Sequence, residues 1–181
     1  MILDQWRARR ASLALIESLR GEITAASRRP GLYTALGVPD RVDGRFELFT
    51  LHAGLVLRRL AALGGLGADI AQDLVNAVFL HLDDTLREQA LSDVSVSKRL
   101  SAMKKAFYGR NVAYGEALDS GSREGLEAAL ARNVYGAPEG LPKAAALAYY
   151  VLAVEAALDR APLEDFSTGR FRYPAGALSG D

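Results

Sequence analysis

Between Arg45 and Leu63 apolar residues fall on almost every side of a helix, and no other stretch constrains the fold of this chain so strongly. Turned at 100° per residue, Phe49, His52, Val56, Leu60 and Leu63 share one broad side, with Leu48 and Leu55 beside them. Glu47, Thr50, Gly54, Arg58 and Ala61 form the narrow opposite strip. A helix with so little polar surface must be wrapped by others, so the pattern predicts the central member of an all-α bundle, buried nearly all round.

The rest of the chain supplies the wrapping. A first helix is predicted from about Leu3 to Ala26, with Leu13, Ile16, Leu19 or Arg20, and Ile23 at three-to-four spacing and Arg28-Arg29-Pro30-Gly31 as its stop. Gly37-Val-Pro-Asp40 and Asp43-Gly44 read as a rigid loop before the central helix. Asp69 to Glu88 is amphipathic, with Ile70, Leu74, Ala77, Val78, His81 and Leu82 expected inward. A fourth helix runs from Ser92 or Asp93 to Leu118 on a stripe of Val96, Leu100, Met103, Phe107, Tyr114 and Leu118. Ser122, three residues before Gly125, starts a short fifth helix to about Tyr135. Pro138 and Pro142 bracket a turn, and Pro142 stands where a first-turn proline belongs, opening a last helix from Lys143 to Arg160. No strand is predicted. The expected architecture is a single compact bundle of about six helices over 1–160, followed by a C-terminal tail over 161–181 that carries Phe166, Phe171 and Tyr173.

Composition excludes several classes of function. The 181 residues are enough for one core without staples, and the chain has no cysteine, so disulfides, thiolate metal sites and cysteine nucleophiles are closed. Lys+Arg and Asp+Glu are both 22, so no overall field draws the chain to DNA or another polyanion. No run approaches the roughly 18 apolar residues of a membrane span, and the start, with Asp4 among its first residues, lacks a secretory pattern. A cytoplasmic protein is expected, with peripheral contact at the inner face of the membrane as the closest approach to lipid.

Catalytic and cofactor motifs do not assemble. His52 and His81 lie on different helices without the inward i+3 or i+4 partners of a metal site, so they read as histidines bonded within the fold. Asp83-Asp84-Thr-Leu-Arg87-Glu88 resembles a magnesium-diphosphate helix only in part, because Arg87 stands where an acid is needed. Gly64-Gly65-Leu-Gly67 has no strand before it and no Lys-Ser/Thr after it, so it is a turn and not a phosphate cradle. No catalytic residue, metal or cofactor is therefore expected.

Two constellations remain. Arg45, His52 and Arg59 are spaced by seven along one side of the central helix, and Asp40 and Asp43 precede it. Arginines on a mostly apolar side need partners, so these five are read as a structural clamp in which Asp40 or Asp43 ties loop to helix, with ligand contact as the alternative. From Ser97 to Tyr114, Lys98, Arg99, Lys104, Lys105 and Arg110 alternate with Phe107, Tyr108 and Tyr114. Such a helix can touch RNA or anionic headgroups, or simply present a solvated face with snorkelling stems.

Motif order adds a resemblance. Arg28-Arg29-Pro30, Tyr33, Gly37-Val-Pro-Asp40, Asp43-Gly-Arg-Phe-Glu47, His52, Arg58-Arg59-Leu60, Leu86-Arg87-Glu88 and Phe107-Tyr-Gly-Arg110 occur in the order and spacing of the ubiquinol-cytochrome c chaperone family, which the chain resembles from about Ile16 to Leu118. It departs at Gln89-Ala90-Leu91-Ser92, where relatives have a glycine-containing turn. The resemblance implies an all-helical, non-enzymatic assembly factor of the cytochrome bc1 complex, similar to a bacterial member. Its client would be newly made cytochrome b or an early intermediate, with a small partner protein and ribosome contact as further implications. Phe107, Tyr108, Arg110, Lys104 and Lys105 are the expected partner-binding residues. The alternatives are a helical ligand-binding protein or enzyme acting on a prenyl or haem group, and a general interaction adaptor.

Overall fold

A computed structural model describes residues 2–88, 93–137 and 142–175, with side chains from residue 11 onward. All of its regular structure among the described residues is helical. The helices are α1 (Ile2–Ser27), α2 (Pro30–Thr34), α3 (Val42–Leu63), α4 (Gly65–Glu88), α5 (Asp93–Asp119), α6 (Arg123–Leu130), α7 (Pro142–Leu158) and α8 (Leu163–Ser167). A single π turn, Ala131–Tyr135, prolongs α6.

Local chemistry accounts for most boundaries. Pro30 ends nothing directly: α1 has already closed at Ser27, and the proline takes the first-turn position of α2, where its missing N–H costs no hydrogen bond. Pro142 opens α7 in the same way. Ser122 caps α6 by accepting from the Gly125 N–H at 3.0 Å. Gly136, at φ 59°, closes the π turn. The start of α3 runs so close to the preceding loop that a Cβ at Gly44 would lie 2.0 Å from the Pro39 carbonyl oxygen, which requires glycine there. Residues 89–92, where the departure from the family pattern falls, and Pro138 lie outside the described residues.

The chain divides into two compact units. The first comprises Met1–Glu22, Leu60–Lys105 and Pro162–Arg172. Its buried side chains include Ile16, Leu19, Ile70, Leu74, Val78 and Phe166, and α8 packs on α4. Phe166 and Phe171 stack with centroids 4.6 Å apart, so the part of the expected tail that lies here is folded and buried. The second unit comprises Ile23–Arg59, Ala106–Ala161 and Tyr173–Asp181. It buries Leu32, Leu48, Val56, Phe107, Leu130, Tyr150 and Val151, and α6 with its π turn packs on α7.

Two helix faces differ from the sequence expectation. His81, expected inward, is exposed. The early turns of α4 bury Gly67, Ile70, Leu74 and Val78, whereas the later turns bury Phe79 and Leu86. The buried face thus drifts round the helix, as it does when packed helices cross at an angle, and leaves His81 behind. On α3 the strip opposite the leucines is largely inside: Glu47 is 7% exposed and Thr50 0%. The prediction of a helix buried nearly all round therefore extends to its polar side.

Candidate functional site

The two charged residues on the polar strip of α3, Glu47 and Arg58, meet matching groups within the second unit. Glu47 receives a forked contact from Arg110, whose Nε donates to Oε1 at 3.1 Å and Oε2 at 3.0 Å and whose Nη2 donates to Oε1 at 2.8 Å. Donating to Glu47 strengthens the hold on the Arg110 proton and raises its pKa against the opposing effect of burial. Two turns after Glu47, a Cβ at Gly54 would fall 1.9 Å from Oδ1 of Asn111, the residue after Arg110, so this approach needs glycine. Further along, Arg58 donates to Asp119 at 2.5 Å and to Glu155 at 2.9 Å. Tyr114 is buried near the Glu47–Arg110 pair, and desolvation raises its phenol pKa.

The Asp-Gly-Arg-Phe-Glu and Phe-Tyr-Gly-Arg segments are thus two halves of one clasp, closed by Glu47 and Arg110. Sequence reasoning had Glu47 in the outward strip and missed the pairing. The available signal was that a helix so apolar has little solvent face, so an acid on its opposite strip must meet a cation.

Of the expected partner-binding residues, Phe107 is 1% exposed and sits edge-on to Tyr108, with ring centroids 5.7 Å apart. Arg110 is engaged as described. Tyr108 is 52% exposed, and Val112, one turn on along α5, is 58% exposed. Lys104 and Lys105, which belong to the first unit, are both exposed, and Lys104 Nζ lies 5.2 Å from the Phe79 ring centroid.

Of the five residues expected as a clamp, Asp40 and Arg45 pair between the loop and α3, while Asp43, His52 and Arg59 stand elsewhere. Arg45 Nε donates to Asp40 at 2.7 Å on the surface, and that bond lowers the Asp40 pKa. Asp43 lies exposed in the first turn of α3, where its charge suits the helix dipole. Arg59 donates twice to the Ala161 carbonyl, at 3.2 and 2.8 Å, just beyond α7.

His52 is wholly buried. Its Nδ1 is 2.7 Å from the Leu48 carbonyl and its Nε2 2.8 Å from the Tyr150 hydroxyl. A carbonyl only accepts, so Nδ1 carries the proton and the Tyr150 hydroxyl donates to Nε2. Burial lowers the His52 pKa to about 4, so the ring is neutral at physiological pH. With both nitrogens engaged, it has no lone pair left for a metal or haem iron. Among the described residues no group of three His, Asp or Glu could hold a metal ion, and no helix is long and apolar enough to cross a membrane.

Comparisons with known proteins agree with this architecture. Residues 34–173 match the family model described as ubiquinol-cytochrome C chaperone. The crystal structure of a Cbp3 homolog from Brucella abortus is 34% identical in sequence, with 96% of this chain and 97% of that chain covered and a TM-score of 0.84. Among curated proteins none matches the chain.

Proposed function

The chain belongs to the ubiquinol-cytochrome c chaperone family, and from that premise we propose that it binds newly made cytochrome b, or an early cytochrome bc1 intermediate, until the other subunits join. The observation that carries this reading is the division of labour within Phe107-Tyr-Gly-Arg110. Phe107 and Arg110 are held inward by packing and by Glu47, while Tyr108 stands half exposed with exposed Val112 beside it on α5. An amphipathic ring and a β-branched side chain form an anchor for an apolar helix face of the client. Lys104 and Lys105 would add salt-sensitive attraction to acidic loops or headgroups. The protein would work from the cytoplasmic side of the membrane, by surface contact and without a chemical step. A small partner protein would join the assembly, and ribosome contact would be secondary.

The experiment is the dithionite-reduced difference spectrum of membranes from the native host lacking this gene. Selective loss of the bc1 cytochrome b signal is expected, restored by the wild-type chain and not by Tyr108→Ser with Val112→Ser. An unchanged b signal in the deletion strain would sink the reading. Full restoration by the double variant would move the contact surface elsewhere.

A further inference from the structure

The side of α5 turned away from Phe107 and Tyr114 carries an ordered set of groups. At 100° per residue, Lys105, Tyr108, Gly109, Val112 and Glu116 lie within about 100° of one another. All five are exposed. The middle of this strip is apolar, with a cation at its N-terminal end and an acid at its C-terminal end. Among the described residues, no ion pair engages the Lys105 ammonium or the Glu116 carboxylate.

Nothing within the chain requires glycine at position 109. Alanine suits a helix interior better, and a Cβ at Gly109 would meet no heavy atom within 4 Å. Gly54 on α3 differs, because there Asn111 fills the space. A gap on an outer face, three residues before an exposed β-branched side chain, offers a hole and a knob on the same helix.

The order of the groups is self-complementary. Gly109 and Val112 stand equally far on either side of the midpoint between Arg110 and Asn111, and so do Lys105 and Glu116. A second α5 laid antiparallel about a two-fold axis at that midpoint brings each group level with its counterpart. Knob then meets hole and cation meets acid, each twice. A parallel arrangement would instead set Lys105 against Lys105 and Glu116 against Glu116, which like charges disfavour. An unrelated partner has no need of this symmetry, whereas a second copy requires it.

We propose that α5 pairs antiparallel with α5 of a second copy of this chain, Val112 of each copy seating over Gly109 of the other and Lys105 of each pairing with Glu116 of the other. The pairing stands on α5 alone. Its consequence for the client rests on the Tyr108 reading above: second copy and client compete for one face. A single pair of helices is a small interface, so the dimer is reversible and of micromolar strength.

Sedimentation velocity of the full chain across the micromolar range tests the pairing. A concentration-dependent equilibrium of monomer and dimer is expected, shifted to monomer by high salt. Lys105→Glu or Glu116→Lys sets like charges across both contacts and should weaken the dimer about tenfold or more. A chain carrying both exchanges restores opposite charges and should recover it. Gly109→Leu fills the hole and should lose the dimer. A wild-type chain that stays monomeric throughout overturns the proposal and leaves the face to a different partner. A dimer that these single variants leave intact, or that the double exchange does not restore, overturns it equally. The measurement uses no client, so absence of the dimer leaves the cytochrome b experiment standing, and the reverse.

Discussion

Glu47 is 7% exposed on α3, and the cation of Arg110 that answers it is 63 residues further along, on α5. A carboxylate taken that far out of water is tolerated only with a good partner, and the forked geometry of Arg110 supplies one. Arg110→Ala should therefore cost about 2–3 kcal/mol, most of it from leaving Glu47 buried without its cation. Glu47→Leu combined with Arg110→Leu should recover much of that loss, because neither variant then strands a charge. Urea unfolding of Glu47→Leu, Arg110→Leu and their double variant checks this, and additive losses would contradict the pairing. At this scale the sequence was informative about residue type but not about partner. Arg110 was legible as an arginine that mattered, whereas its assignment to a contact surface in place of an internal clasp could not be judged without knowing which face of α5 turns inward. Arg45, His52 and Arg59 share a face of α3 by their spacing of seven, yet they end at Asp40, at Leu48 and Tyr150, and at the Ala161 carbonyl. Spacing along one helix says nothing about what other segments bring to it.

At the scale of elements, α3 and the second half of α5 approach each other through Gly54 and Asn111. Ala at position 54 would be the better helix former by about 1 kcal/mol. Its Cβ, however, would fall 1.9 Å from Asn111 Oδ1, well inside contact distance. Gly54→Ala should lower stability by about 1–3 kcal/mol, and Gly54→Ala with Asn111→Ala should restore most of it, since the obstacle is a side chain that can be shortened. Thermal unfolding of both variants reads the difference; no recovery in the double variant would place the obstruction in the backbone. The long helices were legible from their 3.6-residue period. The short ones were not: α2 and α8 have five residues each, too few to show a period. What forms α8 is its packing on α4, a distant part of the chain, together with the local stacking of Phe166 on Phe171.

At the scale of the whole molecule, the net charge is zero and no cysteine is available for a cross-link, so stability rests on burial and on internal polar contacts. His52 links that stability to pH. Its folded pKa of about 4 lies below the ordinary imidazole value of 6.5, so between these values the unfolded chain binds more protons than the folded one. Stability should be full above pH 6.5 and fall as the pH drops through this window, by about 3 kcal/mol in all for a 2.5-unit shift. His52→Gln should be less stable at pH 7.5 yet lose less between pH 6.5 and 4, a comparison made by urea unfolding across the range. An equally steep loss in that variant would assign the acid sensitivity to other groups.

The sequence by itself determined the helical class, the order of the long helices and the central, nearly all-buried character of Arg45 to Leu63, because apolar periodicity, prolines and caps act within a few residues. It also carried the family, since the order and spacing of short motifs survive without knowledge of their contacts. The tertiary structure decided what those motifs do: Glu47 clasps Arg110, Phe107 turns in while Tyr108 turns out, His52 is sealed between Leu48 and Tyr150, and Tyr173 is drawn in from beyond the last helix. Each of these depends on a pairing across tens of residues, and the free energy that selects it comes from removing two distant groups from water together, which no local pattern encodes.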